Sequence, residues 1–306
     1  MDPVRQPELA VVVPSRNRSR LLADCVGSLL RQDTKAGYEV LVVDDGSTDD
    51  TRERIEALIP GAEGRLRYVH QPPSGLNAAR NAGLRDTGAP TVAFLDDDAL
   101  APETYVQAVV EGTASNPGVD CFGGRIRLRL EGEVPRWCGR EPIGETELEE
   151  GDEDRFVEAA WGANLIVRRS AIERVGPFAE DMALYGDEVE WQSRIRREGG
   201  RIVYLAQAWV WHRRTGNELR LKALLRRNFK KGLSYAQTRI LMQRHVSPWG
   251  GLRHVALGLG HAARRRCWIG IVRAALGAGH AIGALRLLTS GTSSPYLHWL
   301  PARRES

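Results

Sequence analysis

Short apolar runs alternate with helical periodicity through the first part of the chain. Glu8 to Pro14 reads E-L-A-V-V-V-P, a β-branched run closed by proline, which predicts a buried parallel strand. A helix follows over Ser19 to Asp33. The next apolar run, Tyr38 to Val43, ends in Asp44-Asp45-Gly46-Ser47-Thr48-Asp49, whose Ser, Thr and Asp cap a helix reaching Leu58. A strand over Arg67 to His70, a helix over Asn77 to Thr87 and a strand over Thr91 to Leu95 continue the pattern, and the last strand stops at Asp96-Asp97-Asp98. Such alternation, with polar residues at the carboxyl end of each strand, predicts an α/β fold with a doubly wound, mostly parallel sheet and a ligand at those ends.

The pattern then changes. After a helix near Pro102 to Thr113, Val119 to Leu130 contains R-I-R-L-R-L, and its strict alternation predicts a half-exposed strand. Glu131 to Asp154 is rich in Glu, Gly and Pro without periodicity and reads as a long loop, of the length that often serves as a lid. Its eight acids from Glu141 to Asp154 read as a solvated face. Ala159 to Val167 is apolar around Trp161-Gly162-Ala163-Asn164, and a capped helix starts at Ser170. Asp187 to Glu198 reads as a helix, Arg201 to Leu205 as a strand, and Ala208 to Trp211 as a second strand ending at His212. Beyond it Leu221, Leu224, Leu225, Phe229, Leu233, Ile240 and Leu241 fall at helical spacing with Arg and Lys between them, so the tail is helical and amphipathic. The expected division is a domain over residues 1–212, itself in halves 1–115 and 116–212, and a tail over 213–306.

At 306 residues, 42% hydrophobic and 27% charged, the chain can bury a large core. The net charge of +4 hides an asymmetry: the tail carries 18 Lys/Arg against two acids, and the first 212 residues hold 25 bases and 37 acids. A basic, Leu- and Trp-bearing tail suits an anionic lipid surface or a phosphate-bearing substrate. Two readings of its leucines stand side by side, peripheral attachment to a membrane and packing onto the preceding domain. Nucleic acid ranks below both, because the acidic part repels phosphate backbones and no nucleic-acid-binding module is legible. Nothing at the N-terminus resembles a secretory signal, so a cytoplasmic setting, on or near the inner face of a membrane, is expected. Arg264, Arg265, Arg266, Arg273 and Arg286 interrupt the most apolar windows, which argues against a simple membrane span. Cys25, Cys121, Cys138 and Cys267 are far apart in sequence, with no zinc-site spacing to histidine, and are expected to be inert thiols.

Three carboxylates directly after a buried strand repel one another, and a hard divalent cation such as Mn²⁺ or Mg²⁺, completed by substrate phosphates, would offset that cost. A helix cap needs one Asp, and this position has three. Asp44 and Asp45 end the second strand similarly; one can cap the following helix, leaving the other to accept hydrogen bonds from a nucleobase or ribose. Gly75 to Gly83 combines small residues with Arg80, a side chain suited to phosphate. Tyr185 to Trp191 places Asp187 and Glu188 at a loop-to-helix junction, as candidates for a general base.

In this order and spacing, Val11-Val12-Val13-Pro14-Ser15-Arg16-Asn17, Val42 to Asp49, Ala79-Arg80-Asn81-Ala82-Gly83, Phe94 to Asp98, Gly162-Ala163-Asn164 and Gly186-Asp187-Glu188 resemble glycosyltransferase family 2 over about two thirds of the chain. The resemblance implies a GT-A fold and an inverting transfer from a nucleotide-diphosphate sugar, commonly UDP-linked, to an acceptor hydroxyl on a lipid-linked, polysaccharide or small-molecule acceptor. It implies that Pro14, Ser15, Asn17 and Asp45 line the nucleoside pocket, that Arg80 lies near the diphosphate, and that Asp96 and Asp97 contact the nucleotide sugar. Asp96 and Asp98 match the outer acids of the DXD motif, with Asp98 as the direct metal ligand, and His212 resembles a histidine that meets metal or diphosphate in some relatives. Trp161 and Asn164 fall on the acceptor side. Relatives usually read Glu-Asp where this chain has Asp187-Glu188, so Glu188 inherits the base by position while Asp187 keeps the usual residue type. A non-catalytic nucleotide-sugar-binding scaffold is one alternative. A nucleotidyltransferase is another, though it would normally carry a glycine-rich loop after the first strand, and Pro14 to Arg18 has no glycine.

Overall fold

The structure is a computed structural model that describes residues 7–140, 142–143, 145–180, 186–242 and 244–289, to which every structural statement refers. Glu141, Tyr185 and the tail beyond Thr289 lie outside the described residues. The chain forms two compact units, one of Met1–Arg129, Thr146–Met182 and Arg194–Arg213, the other of Leu130–Glu145, Ala183–Ser193 and Arg214–Ser306. Residues 130–145 and 183–193 thus join the tail rather than the rest of the first 212 residues.

The first unit opens with β1 (Leu9–Ser15), α1 (Ser19–Leu30), β2 (Tyr38–Asp44), α2 (Thr51–Glu56), β3 (Leu66–His70), α3 (Leu76–Asp86) and β4 (Thr91–Leu95). β1 and β4 are buried along their whole length, which is why they read as unbroken apolar runs. β1 pairs in parallel with β2 and β4, and β2 with β3, so four strands stand in the order β3-β2-β1-β4 with their carboxyl ends level. α3 lies close against β1: a Cβ at Gly83 would collide with the Val12 side chain.

Beyond β4 the sheet is antiparallel. A two-residue strand β5 (Ala99–Leu100), helix α4 (Tyr105–Ser115), β6 (Cys121–Glu131), a short β7 (Arg155–Phe156), β8 (Asn164–Arg168), α5 (Arg169–Val175), α6 (Asp187–Arg197) and β9 (Ile202–Thr215) complete it. The strand order continues β4-β8-β6-β9-β5, with β7 on β9, and β8 runs antiparallel to both β4 and β6. The expected pair of strands over 201–211 is one continuous strand of 14 residues: Ile202 to Ala206 are all buried, and Gln207 stands exposed at the start of an in-and-out alternation reaching Thr215 rather than in a turn. The loop from Glu131 is not wholly irregular, since Leu148 bridges Ile126 of β6 through reciprocal backbone hydrogen bonds.

In the second unit, α7 (Leu221–Leu241), α8 (Pro248–Arg265) and α9 (Ile269–Thr289) pack through glycine. Cβ atoms at Gly232 and Gly279 would strike the facing backbone of α9 and α7, and those at Gly258 and Gly277 that of α9 and α8. α9 is, by length and composition, apolar enough to cross a membrane, although 39% of its most apolar window is buried in the protein. The outer faces leave Trp249, Leu252, Leu257, Leu259, Leu285 and Leu288 exposed.

Candidate active site

The carboxyl ends of β2, β1 and β4 meet at Ser15. Its carbonyl accepts from the Asp45 amide at 2.9 Å, and its hydroxyl donates to Asp97 Oδ2 at 2.6 Å. Arg18, at the start of α1, spans two carboxylates, donating to Asp97 Oδ1 at 2.7 Å and to Asp98 Oδ2 at 2.9 Å. Burial pushes the Asp97 carboxyl up to about 7; Arg18 opposes the rise, Asp98 adds to it, and the Ser15 hydroxyl lowers it again. The triple aspartate is therefore divided: the middle acid turns back to β1 and the outer two turn elsewhere.

Asp96 and Asp98 turn to His212. β5 pairs antiparallel with β9 so that Ala99 stands opposite His212, and the Arg213 amide donates to the Asp98 carbonyl at 3.0 Å. This two-residue strand places the imidazole Nε2 3.2 Å from Asp98 Oδ1 and 3.7 Å from Asp96 Oδ2. The other ring nitrogen, Nδ1, is 3.0 Å from the Thr146 carbonyl. A carbonyl only accepts, so Nδ1 carries a proton and, in the neutral ring, Nε2 presents its lone pair to the two carboxylates. Two carboxylate oxygens and a lone-pair nitrogen, all within 4.8 Å of one another, form a repulsive set that one divalent cation satisfies. Oxygen donors with one imidazole suit Mn²⁺ or Mg²⁺, and Asp96, 35% exposed, leaves the site open on one side.

The loops after β1 and β2 are bound to each other. Asn17, in the left-handed region at φ 55, accepts from the Thr48 amide at 2.7 Å while its own amide donates to the Ser47 hydroxyl at 2.9 Å. Asp44 accepts from the Ser47 amide at 2.8 Å and from the Tyr68 hydroxyl, and so fills the turn-capping role. Asp45 is the other acid, and it receives the Ser74 amide at 2.7 Å, the Gly75 amide at 2.9 Å and Gln71 Nε2 at 2.8 Å. It thereby fixes the approach to α3, whose first helical residue follows Gly75 at φ 98. Pro14 sits inside β1, paired with Val43.

Arg80 is 2% exposed, donates to Asn77 at 3.1 Å and stacks over Phe178. A Cβ at Gly162 would stand within its guanidinium, so the glycine of Trp161-Gly162-Ala163-Asn164 makes room for this arginine. Leu95 of β4 pairs with Asn164 of β8, which puts residues 161–163 just past the carboxyl end of β4. Asn81 closes a two-bond clamp on Phe178, donating to its carbonyl at 2.9 Å and accepting from its amide at 3.0 Å. Asn164 is fully buried, donates to the Arg125 and Ala208 carbonyls and accepts from the Tyr105 hydroxyl, and so ties β8 to β6 and β9. Trp161 is partly exposed and donates to the Glu147 carbonyl at 3.1 Å.

In the second unit, Asp187, Glu188 and Glu190 occupy the first turn of α6, where the helix dipole favours them. Asp187 and Glu190 are buried and Glu188 is partly exposed. Burial lowers the Lys231 ammonium, and Glu145 and Glu188 draw it back up. Glu145 itself is held by Arg214 at 2.6 Å and Arg227 at 2.7 Å.

Pattern reading missed Arg18, Gln71, Asn77 and Asn81 as parts of this framework. The available signal for Arg18 was a cation at the opening of the first βα turn. The others reveal themselves only through pairings distant in sequence.

Residues 10–176 match the model of glycosyl transferase family 2. The chain is 28% identical over 199 residues to glycosyltransferase AglE of Haloferax volcanii, covering 65% of this chain and 64% of that one. It is 32% identical over 235 residues to validoxylamine A glucosyltransferase of Streptomyces hygroscopicus, covering 66% of this chain and 54% of the relative. It therefore spans less than two thirds of the length of these curated relatives. Among solved structures it resembles a mannosyltransferase from Pyrobaculum calidifontis in complex with GDP-Man and Mn²⁺, at TM-score 0.57 and 20% identity over 97% of this chain and 79% of that one. This likeness shows the GT-A fold. With more than half its length inside the family model and its strand-end acids arranged as described, the chain belongs to glycosyl transferase family 2.

Proposed function

We propose that the protein is an inverting, metal-dependent glycosyltransferase that moves a sugar from a nucleotide-diphosphate donor, UDP-linked in the first instance, to an acceptor hydroxyl, in cell-surface polysaccharide or glycolipid synthesis. The observation that carries this reading is the convergence of Asp96, Asp98 and His212 Nε2 beside the Ser15–Asp97–Arg18 network. Mn²⁺ or Mg²⁺ held by those three residues supplies charge neutralisation at the donor's diphosphate. Arg18 and Ser15 fix the orientation of Asp97 and Asp98, so little reorganisation is needed as negative charge grows on the leaving group.

Pro14, Asn17 and the Asp45-held loop shape the nucleoside pocket. Arg80 adds positive charge near the diphosphate, rigidly mounted between Gly162 and Phe178. Glu188 takes the proton from the acceptor hydroxyl, its partial exposure suiting contact with a substrate better than the burial of Asp187. The hydroxyl oxygen then attacks the anomeric carbon from the face opposite the diphosphate, and configuration inverts. Trp161 offers a partly exposed ring on the acceptor side.

A thermal-shift and turnover screen of UDP- and GDP-sugars, with and without Mn²⁺, tests the reading. Cation-dependent stabilisation by one donor, with inverted product by NMR, supports it. Nucleotide-sugar binding without any turnover across donors and acceptors would assign the protein to scaffolding instead. The exposed apolar residues of α8, with Arg253 and Arg264 to Arg266 on the same helix and its cap, support peripheral attachment to the cytoplasmic face of an anionic membrane. Co-sedimentation with anionic vesicles that is lost in high salt is the expected result; full solubility at low salt refutes it.

A further inference from the structure

Outside the strand-end site, one cluster of ligating side chains among the described residues remains without a role. Burial and the nearby aspartates push the Cys25 thiol up, and burial does the same to Cys121, so both are inert. Cys138 and Cys267 differ. Although 129 residues apart, they meet in the second unit: the Cys138 amide donates to Cys267 Sγ at 3.4 Å, and Cys138 Sγ is 3.1 Å from His261 Nε2. The three donor atoms lie within 4.8 Å of one another.

We propose that Cys138, His261 and Cys267 form a site for a soft divalent cation of the zinc class, which fastens the 132–140 loop to the corner between α8 and α9. Two thiolates and an imidazole are the donor set that zinc takes, and a tetrahedral ion with Zn–S and Zn–N bonds of about 2.3 and about 2.0 Å needs its ligand atoms about 3.5–3.8 Å apart. Small adjustments of the observed spacing reach that geometry. Sulfur ligands disfavour Mg²⁺ and Mn²⁺, so the site is chemically distinct from the carboxylate set. The backbone amide on Cys267 Sγ is the kind of outer contact that orients a metal-bound thiolate.

The backbone around both cysteines is held in an unusual form. Arg136, two residues before Cys138, has φ 41, and Arg266, directly before Cys267, has φ 48. Non-glycine residues keep left-handed conformations where the surroundings over-determine them. Here the Arg136 carbonyl accepts from the Trp268 amide at 3.1 Å, and its guanidinium stacks over the Trp268 ring. Both cysteines are thus presented by constrained turns, while His261 projects from the last full turns of α8. Cys267 is 1% exposed and the other two ligands are partly exposed, which leaves an entry path and room for water as a fourth ligand.

The test uses the full chain, reduced, stripped of metal and reloaded with Zn²⁺ or Co²⁺. The expected result is one tightly held Zn²⁺ per chain that persists in Asp98→Ala, and a Co²⁺ form with thiolate charge-transfer and tetrahedral d–d absorption. His261→Gln and Cys138→Ser, each checked for folding by its thermal transition, remove direct ligands and should weaken zinc binding by more than the roughly 10–100-fold that loss of an outer contact costs. The wild-type Co²⁺ spectrum decides the matter even if a variant misfolds. Absence of sulfur-to-cobalt charge transfer in the reduced wild type, or wild-type zinc affinity in both variants, overturns the proposal. So does a Cys138–Cys267 disulfide whose reduced form binds no zinc.

Discussion

The strand ends of the first unit and the helices of the second both depend on close approach, with opposite chemistry. At Ser15 the close groups are polar and charged: Asp97 is matched by a hydroxyl and a guanidinium, while Asp96 and Asp98 face an imidazole lone pair and are left for a cation to satisfy. Along α7, α8 and α9 the close groups are glycines set against bare backbone, and the bulky apolar side chains of α8 stand outward. The first arrangement stores electrostatic order that a charged substrate can use. The second gives a tightly packed scaffold with an apolar, basic exterior. Chemistry is expected of the first region and docking of the second.

Substitutions that separate these roles should differ in kind. Asp98→Ala removes an acid facing His212 and Arg18 and should lower kcat/KM by on the order of 10²–10³-fold, as loss of a preorganised charge-stabilising group does, with little change in the thermal transition. A large effect on folding without any on turnover would reverse the assignment of roles. Gly124→Val drives a side chain into Asn164 and the Ala208 carbonyl, and should destabilise the sheet by about 3 kcal/mol in denaturant melts.

Removing Arg18 acts on Asp97. Arg18 lowers a carboxyl that burial holds at about 7, so Arg18→Ala should move it higher. In cation-free protein, carbonyl NMR titration should then find Asp97 protonated to a higher pH than in wild type; a downward shift contradicts the network. Ser15→Ala should cost about 1.5–3 kcal/mol above the pH at which Asp97 ionises, the worth of one hydrogen bond to a charged acceptor. Replacing exposed Leu252, Leu257 and Leu259 by Gln should change stability by no more than about 0.5 kcal/mol each while weakening vesicle binding. A loss of several-fold more than that would mean that these residues pack against something.

The same contrast explains what the sequence made legible. The parallel strands β1, β2 and β4 announce themselves because burial on both faces demands unbroken apolar runs, and the acids after β2 and β4 follow by topology. Of Asp44 and Asp45, one is expected to cap the following helix and the other to meet a nucleobase or ribose; Asp44 instead closes the turn at Ser47, and Asp45 accepts from residues 71, 74 and 75. β5 was not legible: two residues carry no period, yet their pairing with β9 brings His212 to Asp98. Asn164 is placed on the acceptor side by the family resemblance alone, and its three buried hydrogen bonds to β6, β9 and Tyr105 were not legible in the sequence. The link between Gly162 and Arg80, and the meeting of Cys138 with Cys267, depend on contacts far apart in sequence that no local pattern encodes.

If the outer aspartates and His212 hold a cation against a donor's diphosphate, pulsed EPR of Mn²⁺ bound to the protein with UDP should show a histidine-nitrogen coupling together with phosphorus coupling on the same ion, with the nitrogen signal lost in His212→Gln. A Mn²⁺ signal that carries phosphorus but no nitrogen, unaltered by His212→Gln, would contradict it.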